Sequence, residues 1–156
     1  MKNPSQKPRP TLRIAIHNRQ RSIRVSLPAL QDFATLALTH CLKIPGQKGS
    51  DLENVTEIDV ILVSNRRMAE LHRRFLDLPG PTDVITFQHG EIFISVETAR
   101  NHARRYQNSV ADELRLYIAH GLLHLRGFDD KTSAGAAKME RLQRKLVREV
   151  AKIASR

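Results

Sequence analysis

Two histidines four residues apart, His120 and His124, are the residues in this sequence best suited to hold a metal ion. On a helix, side chains at positions i and i+4 project from the same face. Gly127 follows three residues later, where a helix can end in a left-handed turn that lets the chain fold back. Asp129 or Asp130 can then approach the two imidazoles. Three side-chain ligands with one open coordination position are typical of a catalytic zinc site.

The histidine pair has a second interpretation, because histidines at this spacing also occur on helices that bind no metal. The glycine and the acidic pair that follow favour the metal site, since their spacing resembles the metzincin protease signature H-E-x-x-H-x-x-G-x-x-H. Gly121 stands where those proteases carry the glutamate that acts as general base. A metal site without that base argues against peptide hydrolysis.

The net charge of +10 and the pI near 10.5 predict a polyanionic partner, most simply a nucleic acid. The alternative is that the lysines and arginines only form solvated helix faces. Aromatic residues make up 4% of the chain, so no platform for stacking bases is evident and contacts would go mainly to phosphates. The basic residues of the last predicted helix are Lys138, Arg141, Arg144, Lys145, Arg148 and Lys152.

Length and composition indicate one domain, which we place at residues 11–156, after a disordered basic tail at residues 1–10. No segment approaches the roughly 20 apolar residues of a membrane span, so no membrane partner is expected. The tail lacks the apolar run of a secretory signal. The single cysteine, Cys41, cannot form an intramolecular disulfide, which fits a reducing cytoplasm, and its place on an apolar helix face favours a core role over catalysis.

Hydrophobic periodicity predicts interspersed strands and helices. Strands are predicted at about 12–16, 23–25, 55–63, 84–87 and 92–96, and helices at about 28–41, 65–76, 97–107, 110–126 and 132–154. This arrangement predicts an α+β fold in which a small mixed sheet packs against about five helices. The helix at 110–126 is apolar on nearly all sides, so it should be central and largely buried.

Glu113 lies on the same flank of that helix as the histidines, two turns before His120. Histidines on a buried helix need polar partners, and Glu113 can accept a hydrogen bond that orients an imidazole beside a metal. It can equally be a first-turn glutamate stabilised by the helix dipole. Both interpretations remain open at the level of sequence.

Three sequence blocks resemble the YbeY family of bacterial metal-dependent endoribonucleases. Residues 120–129 follow the family pattern H-G-x-L-H-L-x-G-[YF]-D, residues 81–87 resemble P-T-D-V-L-S-F, and residues 90–95 resemble G-D-I-x-I-S. The resemblance implies a single zincin-like domain of α+β class with one zinc-type ion per chain, Zn²⁺ or another divalent ion. It also implies cleavage of ribosomal RNA in the cytoplasm, with components of the small ribosomal subunit and an assembly GTPase as partners.

Position 130 departs from that family, whose third metal ligand is a histidine at the position of Asp130. Aspartate binds zinc through oxygen, but it is shorter and its negative charge weakens the Lewis acidity of the metal. The alternative to Asp130 as ligand is an incomplete site. Asp129 matches an aspartate of the family pattern, which makes it a candidate for support around the metal. Asp83, which the resemblance places near the cleft, either bonds to that surrounding shell or only fixes a turn before a strand.

Leu76 is the second departure, because the family carries there an arginine thought to contact RNA. Arg73 lies one helical turn earlier and is the candidate for holding phosphate during catalysis. Arg74 and Arg66, on the same predicted helix, are further candidates for RNA binding. The alternative for all three arginines is a solvated helix face.

The predicted function is a hydrolase, a metal-dependent endoribonuclease of the single-strand type that acts in small-subunit rRNA maturation and ribosome biogenesis. His120, His124 and Arg73 are its predicted catalytic residues, and no side chain is an obvious general base. The competing interpretation is a non-catalytic RNA-binding factor for ribosome assembly with a degraded metal site. Asp130 and Leu76 are the residues that favour this competitor.

Overall fold

The computed structural model describes residues 11–47 and 50–154, and the predicted tail at residues 1–10 lies outside these ranges. In chain order the elements are β1 (Arg13–Asn18), α1 (Leu27–Lys43), a 3₁₀ turn (Asp51–Glu53), β2 (Glu57–Val63), α2 (Asn65–Leu76), β3 (Val84–Phe87), β4 (Glu91–Ser95), α3 (Val96–Tyr106), α4 (Val110–Leu125) and α5 (Ser133–Ala154). Within the described ranges, four strands and five helices confirm the predicted α+β class.

The segment between β1 and α1 corrects one prediction, because residues 23–25 form no strand. The Gln20 side chain takes the bonds that a neighbouring strand would supply. Its Nε2 donates to the Ile23 carbonyl oxygen at 2.7 Å, and its Oε1 accepts from the Ile23 backbone N–H at 2.9 Å. Ile23 and Val25 still pack against the core, which explains their apolar character without a strand.

The four described strands form one mixed sheet in the order β1-β2-β4-β3. β1, β2 and β4 run parallel, and β3 pairs antiparallel with β4 at the sheet edge, as the predicted hairpin requires. Successive strand residues face opposite sides. Leu62 therefore lies in the main core with α1, α4 and α5, whereas Val63 packs with Met68 and Leu71 of α2. The sheet separates α2 from α4.

Helix α4 is the buried centre of the main core, as its apolar surface predicts. Leu114, Ile118 and Leu122 are almost fully buried along it. Gly121 lets this helix approach the sheet closely, because a Cβ atom at that position would lie 2.7 Å from Cγ2 of Ile92. Position 121 thus faces the sheet, and the glutamate that a metzincin carries there would not fit this packing.

The remaining predictions about buried and membrane-spanning segments concern Cys41 and the helices. Cys41 is fully buried in the core, and burial raises the pKa of its thiol to about 12 against a smaller opposing effect of Arg126. It is therefore a packing residue, as predicted. None of the helices within residues 11–47 and 50–154 combines the length and apolar composition that crossing a membrane requires.

Candidate metal centre

The chain reverses at the end of α4 through a turn centred on Gly127. The Gly127 N–H donates to the His124 carbonyl oxygen at 3.0 Å, and the Phe128 N–H donates to the Leu123 carbonyl oxygen at 3.0 Å. This pair of bonds is the Schellman motif, and Gly127 has the positive φ of 98° that favours glycine. The predicted left-handed end of the helix is confirmed, and it returns the following residues to the histidines.

His120, His124 and Asp130 converge around one point. Their Nε2 atoms lie 3.0 Å apart, and the Asp130 carboxylate oxygens lie 3.7 Å from Nε2 of His120 and 3.9 Å from Nε2 of His124. Tetrahedral zinc with bonds of about 2.0–2.1 Å separates its ligand atoms by about 3.3 Å. In the part of the chain that the structure describes, this is the only group of three potential metal ligands within 4.8 Å of one another.

The hydrogen bonds of the two imidazoles determine which nitrogens can bind a metal. Nδ1–H of His124 donates to the Phe128 carbonyl oxygen at 3.1 Å, since a carbonyl can only accept. Nδ1–H of His120 donates to Oε1 of Gln143 at 3.0 Å. The amide of Gln143 is oriented by its own Nε2, which donates to Glu140 at 2.9 Å. Both neutral imidazoles therefore direct their Nε2 lone pairs into the same space.

This arrangement fits a metal ion better than it fits an uncharged cluster. Two lone pairs 3.0 Å apart repel each other, and a cation between them removes the repulsion. Burial lowers the pKa of His124, and nearby His120 lowers it further, against smaller opposing effects of Asp130 and the Phe128 carbonyl. The neutral imidazole, which is the form that binds metals, is thus favoured.

Sequence reasoning found neither Gln143 nor the Phe128 carbonyl as supports of the imidazoles. Gln143 did carry a signal, because it lies on α5 among the residues of its apolar stripe, four positions after Met139 and three before Leu146. A polar amide next to a buried stripe indicates an internal hydrogen bond. The Phe128 carbonyl carries no side-chain signal at all.

A cleft of about 570 Å³ opens beside His120. The acidic residues that line it are Asp83, Glu113, Asp130 and Glu140. Among its described lining residues, Arg144 is the only lysine or arginine. The protein alone thus makes this cleft predominantly negative, which suits a cation and gives little attraction for phosphate.

Residues 15–151 match the family described as Endoribonuclease YbeY. The chain belongs to the YbeY family. It is 37% identical over 102 residues to the Endoribonuclease YbeY of Anaeromyxobacter sp. (strain Fw109-5), covering 59% of this chain and only 53% of that protein. It is 31% identical over 129 residues to that of Methylocella silvestris, covering 76% of this chain and 73% of that protein. A solution structure from Thermotoga maritima matches with a TM-score of 0.62 and 28% identity over 91% of this chain and 92% of that one.

The two acidic residues predicted near the metal have partners of their own. Glu113 is 6% exposed and accepts a hydrogen bond from Asn108 at 3.1 Å, while both imidazole Nδ1 atoms are already bonded elsewhere. Asp83 accepts from the Val84 N–H at 2.8 Å and fixes the start of β3, and its side chain also lines the cleft. Burial raises the pKa of Tyr117, and the negative charges of Asp83 and Glu113 add to this.

The two neighbouring aspartates after the turn are clearly distinguished. The Asp129 carboxylate accepts from the Lys131 backbone N–H at 3.2 Å and so closes a local turn. Asp130, with 48% of its side chain exposed, is the one that faces both imidazoles. Its oxygen occupies the position at which the family pattern has a histidine.

The predicted RNA-binding arginines of α2 lie apart from this cleft. Arg66 and Arg73 line a separate cavity of about 580 Å³ with the loop that follows α2, and none of the three metal-ligand candidates borders it. The Arg74 guanidinium lies 5.4 Å from the ring centre of Phe75. Leu76, at the position of the family's arginine, is 50% exposed. Phosphate binding by these arginines stays a prediction.

Proposed function

We propose that this protein is a metal-dependent endoribonuclease that cleaves single-stranded segments of ribosomal RNA. The observation that carries the proposal is the convergence of two oriented Nε2 lone pairs and one carboxylate at the edge of an open cleft. Membership of a family described as Endoribonuclease YbeY supports RNA as the substrate. The net charge of +10 supports a polyanion.

We propose Zn²⁺ as the metal, with His120, His124 and Asp130 as its ligands. Two imidazoles and a carboxylate are a donor set that zinc accepts. When bound, the ion would supply Lewis acidity for the hydrolysis of a phosphodiester. Gln143 and the Phe128 carbonyl keep both imidazoles in the metal-binding tautomer.

The roles of the remaining residues follow from their positions and charges. Arg144 lines the cleft and can attract the phosphate next to the scissile bond. Arg73, with Arg66 and Arg74, would hold RNA further along α2, as the sequence predicts. We place the reaction in the cytoplasm, on small-subunit rRNA and its bound components, with an assembly GTPase as partner. These partners rest on the family resemblance.

Metal content and RNA cleavage, measured on the same preparations, test the proposal. Wild-type protein should hold about one zinc per chain and cut a single-stranded RNA, and His120→Ala/His124→Ala should lose both properties. The matched control is His17→Ala/His89→Ala, which removes two histidines outside the cluster and should keep both. Wild-type protein that holds no metal after zinc is supplied and the excess removed would contradict the proposal.

A non-catalytic RNA-binding assembly factor is the second candidate. The half-exposed Asp130 in place of a histidine and the absence of an arginine at Leu76 favour it. This candidate requires that RNA binding is the same with and without metal, and that no cleavage occurs under any metal. Restored cleavage in Asp130→His alone would indicate that the site lost its activity through this one substitution.

A further inference from the structure

A second cavity, of about 660 Å³, adjoins the metal cleft between α4 and α5. Asn108, Leu116 and Arg144 line both cavities, so the two are continuous. We call the second cavity the α5 groove. Its basic lining residues are Arg141, Arg144, Lys145 and Arg148. A chain that leaves the metal cleft past Arg144 therefore enters a groove lined by cations.

The helical spacing of the four cations places them together. Positions 141, 144, 145 and 148 differ by three, four and seven residues and share one face of α5. Along the axis, residues 141 and 148 are separated by about 10 Å, given a rise of about 1.5 Å per residue. Three stacked nucleotides of one strand span a similar length at about 3.4 Å each.

Two of these cations are compensated within the protein and two are not. Arg144 pairs with Glu140, and Lys145 lies 4.0 Å from Glu149. Arg141 and Arg148 are exposed, and no hydrogen bond or ion pair holds either guanidinium in the part of the chain that the structure describes.

The acidic side chain in the groove is already occupied. Asp112 lines the groove, and its carboxylate accepts from Arg115 at 3.0 Å. The groove thus has an excess of positive charge, whereas the adjoining cleft has an excess of negative charge. Favourable electrostatic attraction for a polyanion is therefore found beside the metal site rather than inside it.

We infer that the α5 groove holds the sugar–phosphate backbone of the single RNA strand that passes through the metal cleft, with Arg141 and Arg148 as its principal phosphate contacts. The inference rests on the proposed function for the identity of the polyanion. It assigns the RNA track to α5, on the side of the sheet that carries the metal site. The arginines of α2 lie across the sheet from it.

The test compares Arg141→Gln/Arg148→Gln with Arg21→Gln/Arg24→Gln, which removes the same charge from the exposed loop between β1 and α1. Binding of a labelled single-stranded 2′-O-methyl oligonucleotide, shown by gel to stay intact, is measured by anisotropy between 50 and about 300 mM salt, the range where phosphate contacts dominate. The slope of log K against log salt should fall by about 1.4 in the α5 variant, at about 0.7 per phosphate, and by much less in the control. Zinc content and melting temperature should match wild type in both variants.

Equal slopes for the two variants would overturn the inference. A loss of slope in Arg66→Gln/Arg73→Gln, with none in the α5 variant, would place the track on α2 and overturn it as well. If poly-glutamate binds wild type but not the α5 variant, while oligonucleotide binding is retained, the groove serves an acidic protein instead. Cleavage is scored separately: wild type that never cuts RNA but shows the slope change refutes the nuclease proposal and supports the groove.

Discussion

Replacing Gln143 by leucine should weaken zinc binding while leaving the fold intact. The Gln143 side chain accepts the hydrogen bond from His120 Nδ1–H and is itself held by Glu140. Without that acceptor, the ring can rotate, and the other tautomer would direct an N–H toward the metal position. Leucine has a similar volume and continues the apolar stripe of α5, so the packing should tolerate the change.

The expected loss in zinc affinity is about 10- to 100-fold, the range found when a hydrogen bond behind a metal ligand is removed. This corresponds to about 1.4–2.7 kcal/mol. That loss is comparable to the cost of leaving a partly buried N–H without a partner, about 1–3 kcal/mol. The effect should be confined to the metal, since the free imidazole loses only one hydrogen bond.

Competition for zinc against a chromophoric chelator at neutral pH measures the affinity directly, and thermal unfolding of the metal-free variant checks the fold. Gln143→Glu is the matched control, because a carboxylate still accepts from Nδ1–H and should keep or increase the affinity. A leucine variant that binds zinc within two-fold of wild type would refute the assigned tautomer of His120. So would an equal loss in the glutamate variant.

Three further predictions concern other parts of the molecule. Asp130→His should tighten zinc binding in the same competition assay, because imidazole is the stronger donor and reaches further; an unchanged affinity would remove Asp130 from the ligands. Gly121→Ala should lower the free energy of unfolding in urea by about 1–3 kcal/mol through overpacking. Adding Ile92→Val should cost less than the sum of the two single changes, and strict additivity would show that the contact is absent. Cys41 should be unreactive toward a thiol reagent at pH 8 until the protein unfolds, since with its pKa raised to about 12 the reactive thiolate forms only at much higher pH; rapid labelling of the native protein would contradict its burial.

Regular elements were predictable where the pattern of apolar residues is local. The stripe of α1 and the dense apolar run of β2 correspond to the observed burial. Serines precede α2 and α4 and accept from Arg67 and Asp112 backbone N–H groups at 3.2 and 3.0 Å, as helix caps do. The predicted strand at residues 23–25 was wrong because Gln20 bonds that segment, and a side-chain interaction of this kind leaves no periodic signal.

The sequence by itself determined the two imidazoles, their common face and the turn after them. These depend on 3.6 residues per helical turn and on the left-handed conformation of Gly127, which are local properties of a few consecutive residues. Only the tertiary structure decided that Asp130 rather than Asp129 faces the imidazoles, and that Gln143 supports His120 from another helix. It also brought Arg144 rather than Arg73 to the cleft. These outcomes depend on how α5 packs across α4 and on which face of the sheet α2 covers, and such long-range geometry is not encoded in residue spacing.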